Sequence, residues 1–173
     1  MKILVIGDVH GCYHTLKALV DKYWDPDEQI LIQLGDLINK GPHSGKCIRY
    51  WQKLESDFPK KTVLLRGNHE QILLDYFYKN KQEASVKSLA QNIENEGLDL
   101  AKVCDWLRIK GLKWESEGVL VTHAGIGKNT EDPFDIKSNR GVLLNRSPLQ
   151  RLDKVQVVGH TMVSGGKPIF NPR

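Results

Sequence analysis

His10, His69, His123 and His160, four of the six histidines in the chain, stand beside Asp, Gly, Asn or Thr in four short clusters. These are Gly7-Asp-Val-His-Gly11, Arg66-Gly-Asn-His-Glu70, Val121-Thr-His-Ala-Gly125 and Val158-Gly-His-Thr161, with a fifth pair, Gly35-Asp36, between the first two. Asp8 and His10 are two residues apart, so on chain leaving a strand both side chains can face the same way and share one cation. Asp36 offers two carboxylate oxygens, enough to bridge two cations. Asn68 adds an amide oxygen beside the imidazole of His69. His123 and His160 add neutral imidazoles suited to manganese, iron or zinc. Each cluster taken alone has a bland reading, a turn with a surface histidine or an Asx turn. Their joint position outweighs it.

That position follows from the elements between the clusters. Lys2–Gly7 is a β-branched apolar run ending in glycine, and reads as a buried strand at the centre of a sheet. Leu16, Leu19, Val20 and Tyr23 recur at helical spacing up to Asp25-Pro26, which stops the helix. The unit repeats: strand 29–34, helix 44–54, strand 62–65, helix 70–78. Three β-α steps in succession predict a largely parallel sheet. In such sheets the carboxyl ends of the strands form the crevice where ligands bind, and each of the first three clusters falls at a strand end. Helical patterns then run over 82–110 with a break at Gly97, a hairpin turns around Glu117-Gly118, and a short strand covers 155–159.

A chain of 173 residues with 40% hydrophobic and 27% charged residues suits a single globular unit. No apolar run is long enough for a membrane helix, and Asp8 interrupts the first run too early for a secretory signal, so the expected compartment is the cytoplasm. Cys12, Cys47 and Cys104 are odd in number and widely spaced; reduced thiols are expected, Cys12 as a small packed one. The net charge of +4 is scattered, which disfavours nucleic acid and suits a small anionic substrate. The four tryptophans read as packing residues, and His14 and His43 as surface groups.

GDVHG, GD, LRGNHE, THAG and GHT, in that order from Met1 to about Thr161, resemble the calcineurin-like metallophosphoesterases, specifically their phosphoprotein-phosphatase branch. The resemblance implies an α/β fold, an αββα sandwich of two mixed sheets flanked by helices, as one domain over 1–173 with a small helical insertion at about 82–110. It implies two divalent ions, manganese first and iron or zinc as alternatives. Asp8, His10 and Asp36 would hold one, and Asp36, Asn68, His123 and His160 the other, leaving His69 as the acid. The implied activity is hydrolysis of phosphomonoesters by a hydroxide that the two metals activate, as in a serine/threonine protein phosphatase, with a phosphorylated protein or a small phosphoester as substrate and no membrane partner.

Where that branch reads Asp-Arg-Gly, this chain has Asn39-Lys40-Gly41. Asn39 is expected to accept a hydrogen bond through its amide oxygen without charging His69, and Lys40 to grip phosphate without the two-pronged geometry of arginine. A second phosphate-gripping residue is expected at Arg146, with Arg140 as competitor. The resemblance also implies further strands after Gly-His-Thr, so the second sheet is expected to be incomplete. GDVHGCY and the stretch from Gly35 to Tyr50 resemble symmetrical dinucleoside tetraphosphatases as well, which makes a nucleotide the alternative substrate. Those enzymes usually read GNHD where this chain has Glu70, and that residue favours the phosphatases. A non-catalytic interaction module on the same scaffold is the alternative of another class.

Overall fold

The structure is a computed structural model that describes residues 2–81, 83–163 and 165–170. Gln82, the expected start of the helical insertion, lies outside the described residues, as do the last three. The elements run β1 (Lys2–Ile6), α1 (Tyr13–Tyr23), β2 (Gln29–Gln33), α2 (Ser44–Asp57), β3 (Thr62–Leu64), α3 (Asn68–Lys79), α4 (Ala84–Asn95), α5 (Leu100–Arg108), β4 (Lys113–Glu115), β5 (Val119–Thr122) and β6 (Val155–Val157).

Two three-stranded sheets result. β1, β2 and β3 are parallel and lie in that order, while β5 pairs antiparallel with β4 and parallel with β6. The strand expected at the centre of the first sheet is instead its edge. Each β-α-β crossover lays the next strand on the same side, so β2 takes the middle, and its Leu31 and Ile32 are fully buried while most of β1 is only half-buried.

Alternation along the strands sorts their side chains into two layers. Ile6, Leu31 and Leu64 face the helices and join Leu16, Val20, Ile48, Trp51, Leu73, Ile93 and Leu107 in the main core. Ile32 and Leu34 face the second sheet and meet Val121, with Ile3, Val5, Trp114 and Val157 around them. The architecture is thus two small sheets face to face with helices over the first. The outer face of the second is covered through Ile126, Val142 and Leu152, from the irregular chain between β5 and β6. Each fully buried Leu or Ile contributes roughly 1.5–3 kcal/mol by leaving water, so this layering is what holds the strand ends in place.

The helical insertion is α4 and α5, split at Gly97, whose φ of 72° is a conformation glycine adopts at little cost. α3 starts at Asn68, two residues earlier than the apolar spacing suggests. Glu70, in the third helical position, accepts the Gly67 N–H at 2.8 Å and so closes the first turn.

Candidate metal centre

All six expected donors and His69 arrive at one end of the two sheets. His10 follows β1, Asp36 follows β2, Asn68 and His69 open α3 after β3, His123 follows β5 and His160 follows β6. The second sheet therefore delivers its two histidines to the crevice at the carboxyl ends of the first. Asp36 Oδ2 is the centre: His123 Nε2 lies 3.5 Å from it, His10 Nε2 3.7 Å and His69 Nε2 3.8 Å. Asp8 Oδ2 is 3.8 Å from His10 Nε2 on the other flank.

Backbone contacts aim these groups. Asp36 Oδ1 accepts the His69 N–H at 2.9 Å, which leaves Oδ2 for the centre, and Asp8 Oδ1 accepts the His160 N–H at 3.0 Å. The Nδ1 atoms of His123 and His10 lie 3.2 Å from the Leu34 carbonyl and 3.3 Å from the Ile38 carbonyl. A carbonyl can only accept, so each Nδ1 carries the proton and each Nε2 presents a lone pair inward, the usual orientation of a ligating histidine.

His123 Nε2 then faces Asn68 Oδ1 at 2.9 Å and His160 Nδ1 at 3.1 Å. An unprotonated nitrogen and an amide oxygen this close repel unless a cation joins them. Spacings near 3 Å separate adjacent ligands around a cation bound at roughly 2.0–2.2 Å. The ammonium of Lys40 sits 3.0 Å from His10 Nε2, a second cation drawn to the same inward lone pairs. The donor set could therefore hold divalent ions, with His10, Asp36 and His69 close enough together to form one group and Asp36, His123 and His160 another.

Burial pushes His69 and His123 down to about 4, and lowers His10 and His160 as well; His10 and Lys40 add to the effect at His69, and Arg146 to that at His160. Burial, reinforced by Glu70, pushes the Asp36 carboxyl up. Neutral imidazoles around a carboxylate short of positive charge are the donor chemistry that a divalent cation satisfies.

The backbone is strained here. His10, Asp36, Asn39, Lys40 and His160 all have φ between 49° and 74°, the left-handed region, and among described non-glycine residues only Asn80 and Asn129 share it. Gly11 permits one close approach, since a Cβ there would lie 2.9 Å from the Gly41 carbonyl oxygen. Gly7, the other glycine flanking the first cluster, has open space and no such role.

Asn39 departs from expectation. Its Oδ1 accepts the N–H of Lys40 at 2.8 Å, which turns its amide nitrogen toward His69 Nδ1 at 2.9 Å. Asn39 donates where it was expected to accept. His69 Nδ1 must then be unprotonated, so Nε2 carries the proton and faces the centre as a donor rather than a ligand. Glu70 is also different from its sequence reading. It is fully buried and accepts the N–H groups of Asp36 at 2.8 Å, Leu37 at 2.9 Å and Ile38 at 3.3 Å, besides that of Gly67. Glu70 thus positions Asp36 and cannot reach a substrate, so it says nothing about substrate class. The capping spacing from Gly67 was visible in the sequence; the reach across to 36–38 was not.

Arg146 is exposed and close enough to His160 to depress it, whereas Arg140 donates to the Lys128 carbonyl at 3.1 Å. Cys12, expected as a packed thiol, is exposed; Cys47 and Cys104 are buried. The chain there has just turned through His10 and Gly11, and the start of α1 leaves Cys12 outside.

A calcineurin-like phosphoesterase family model matches residues 1–173. The chain belongs to this family. Among curated relatives of this metallophosphoesterase, a symmetrical bis(5'-nucleosyl)-tetraphosphatase from Shewanella sp. (strain MR-7) is 37% identical over 124 residues, 70% of this chain and 43% of that one. The chain thus spans less than half the length of that relative. A cold-active protein-tyrosine phosphatase of a psychrophilic Shewanella species is similar in structure, with 26% identity, a TM-score of 0.54, and 72% of this chain and 42% of that one covered. A serine/threonine phosphatase from Saccharomyces cerevisiae shares the fold at 24% identity and a TM-score of 0.53, over 86% of this chain and 46% of that one. The family's chemistry implies divalent metal ions. No helix among the described residues is long and apolar enough to cross a membrane.

Proposed function

We propose that this metallophosphoesterase hydrolyses the phosphoanhydride of symmetrical dinucleoside tetraphosphates, a reading that displaces phosphomonoester hydrolysis as the first expectation. Asp8, His10 and Asp36 would hold one divalent ion and Asp36, Asn68, His123 and His160 the other, manganese being the first candidate. When bound, such ions activate water and neutralise phosphoryl charge.

The observation that carries the reading is the amide nitrogen of Asn39 on His69 Nδ1. An aspartate there would favour the imidazolium, a strong acid able to protonate a departing alkoxide. The amide N–H favours neutral imidazole, whose Nε2–H can only hydrogen-bond the departing oxygen. A nucleoside diphosphate leaves with that help, because its charge spreads over phosphate oxygens. An alkoxide does not. Lys40 and Arg146 supply charge for the polyphosphate chain, Lys40 as a point charge rather than a two-pronged clamp. The name of the curated relative supports the same substrate class.

Phosphomonoester hydrolysis is the second reading, favoured by the protein-tyrosine phosphatase among structural neighbours. Manganese-dependent turnover of a phosphomonoester, a phosphodiester, a phosphopeptide and diadenosine tetraphosphate separates the two. Diadenosine tetraphosphate is expected to give the highest kcat/KM; a higher value for the phosphopeptide overturns the reading. A chain that binds no divalent ion in calorimetry is the non-catalytic module instead.

A further inference from the structure

A cavity of about 200 Å³ opens beside the centre, between the 39–44 loop and helix α4. It is smaller than the roughly 300–1,000 Å³ of a pocket that encloses a whole ligand, so it suits one part of a substrate. Asn39 and Lys40 belong both to its wall and to the centre, and Asn39 touches the histidine that faces the departing oxygen. Whatever fills it lies on the leaving-group side.

The wall is built to be held still. Asn92 of α4 donates through Nδ2 to the Pro42 carbonyl at 2.9 Å and accepts the Gly45 N–H through Oδ1 at 3.3 Å. Leu89, one turn earlier, is buried in the main core. Three hydroxyls line the space. Ser44 is 1% exposed and its Oγ accepts the Asn39 N–H at 3.0 Å, while its own proton has no acceptor among the described residues. Ser85 and Ser88 direct their protons to Glu83 Oε1 at 2.7 Å and the Ala84 carbonyl at 3.4 Å, which leaves their lone pairs open. The cavity therefore offers one buried donor and two acceptors, with no aromatic face on which a base could stack, and Lys40, whose ammonium lies at His10 Nε2, borders it on the side of the centre.

We infer that this cavity binds the ribose and adjoining phosphate of the departing nucleoside diphosphate. Each ribose hydroxyl is at once donor and acceptor, matching the serines, and Lys40 meets the phosphate. The inference rests on the tetraphosphatase reading and adds that α4, part of the helical insertion, sets leaving-group specificity.

The test is the ratio of kcat/KM for diadenosine tetraphosphate to that for inorganic tetraphosphate, which has the same P–O–P bond and no sugar, measured with manganese. Ser88→Phe puts a ring into the cavity from an exposed helical position and is expected to lower the ratio about 10-fold, chiefly through KM. Ser88→Thr keeps a hydroxyl and should hold the wild-type ratio within about twofold. If Ser88→Phe does not fold, by its melting curve, Ser85→Phe replaces it with the same expectation. A folded phenylalanine variant with the wild-type ratio overturns the inference, as does a wild-type ratio near one. A wild-type chain that hydrolyses the phosphopeptide and leaves diadenosine tetraphosphate intact overturns the functional reading itself, a result distinct from either.

Discussion

Two regions of this molecule lie within a few ångströms of each other and are held by different physics. The donor cage, from Asp8 to His160, hangs on strand ends. Its carboxylates and imidazoles are aimed by backbone N–H and carbonyl groups that the sheets and the start of α3 already fix. The 39–41 loop lies beyond the strand ends and is joined to the cage by a backbone bond from the Gly41 N–H to the His10 carbonyl at 2.8 Å. Asn39 and Lys40 share the left-handed φ of His10, Asp36 and His160, and the loop is otherwise tied by side chains, Asn39 to His69 on one side and the adjoining Pro42 carbonyl to Asn92 on the other. A cage aimed by strand-end backbone tolerates change around it, whereas a loop tied mainly by side chains can be retuned one residue at a time. On the proposed function, substrate choice belongs to the loop and metal binding to the cage.

The largest expected effect breaks the cage at its centre. Asp36→Ala removes the one carboxylate that, among the described residues, lies within 4 Å of three imidazoles. It should lower manganese affinity and turnover beyond the roughly 10–100-fold that loss of an outer partner costs. Calorimetry and steady-state rates on the same preparation check this, and an unchanged manganese affinity would mean that the ions bind elsewhere. Glu70→Gln comes next. It leaves four N–H groups facing an uncharged amide, one end of which is itself a donor, and should cost about 3 kcal/mol, several degrees of melting temperature. Manganese affinity should fall with it, about 10-fold, because Asp36 loses its anchor. A variant that melts early yet binds manganese normally would separate Glu70 from the cage.

How much of this could be read from the sequence follows the same division. The cage residues were legible because each sits at the end of an apolar run whose period is that of a strand, and strand ends in parallel sheets converge. The helices, the Gly97 break and the hairpin were legible for similar reasons of spacing. What was not legible depended on contacts across long sequence separations. Asn39 was expected to accept from His69, and it donates, because its oxygen is taken by the N–H of its own neighbour Lys40. Glu70 reads in the sequence as a marker of substrate class, while its carboxylate is engaged by the backbone of residues 34 positions and fewer before it. β1 was placed centrally on its hydrophobicity alone, which does not distinguish an edge covered on both faces from an interior strand.

A smaller effect sharpens the loop half of the comparison. Asn39→Asp restores a carboxylate that can accept from His69 Nδ1 and so stabilise the imidazolium. It should raise kcat on alkyl phosphomonoesters by about 10-fold while changing the rate on diadenosine tetraphosphate by less; this is below the roughly 100-fold or more of a complete acid, because His69 already hydrogen-bonds the departing oxygen in the proposed mechanism. The pair of rates is the measurement. An equal gain on both substrates would mean that the loop sets overall reactivity, and that the leaving group plays no part in the choice between the two readings.

The smallest effect compares thiols at the boundary between the two regions and in the core. Burial pushes the thiols of Cys47 and Cys104 up to about 12, whereas Cys12, directly after the first cluster, is exposed. The thiolate is the form that reacts with iodoacetamide. At pH 8 the folded protein is therefore expected to gain one carbamidomethyl group by mass spectrometry, at Cys12, and the unfolded protein three. The sign of the linked stability follows. A thiol whose folded pKa lies above its unfolded value of about 8.5 favours folding fully below that pH. That contribution is lost as the pH rises from there toward 12, since only the unfolded chain can ionise. Melting temperature should accordingly fall across alkaline pH, and less steeply in a Cys47→Ala, Cys104→Ala variant. Alkylation of Cys47 or Cys104 in the folded protein at pH 8 would mean that the helical layer opens on the time scale of the reaction. The strand ends would then be less firmly held than the cage requires.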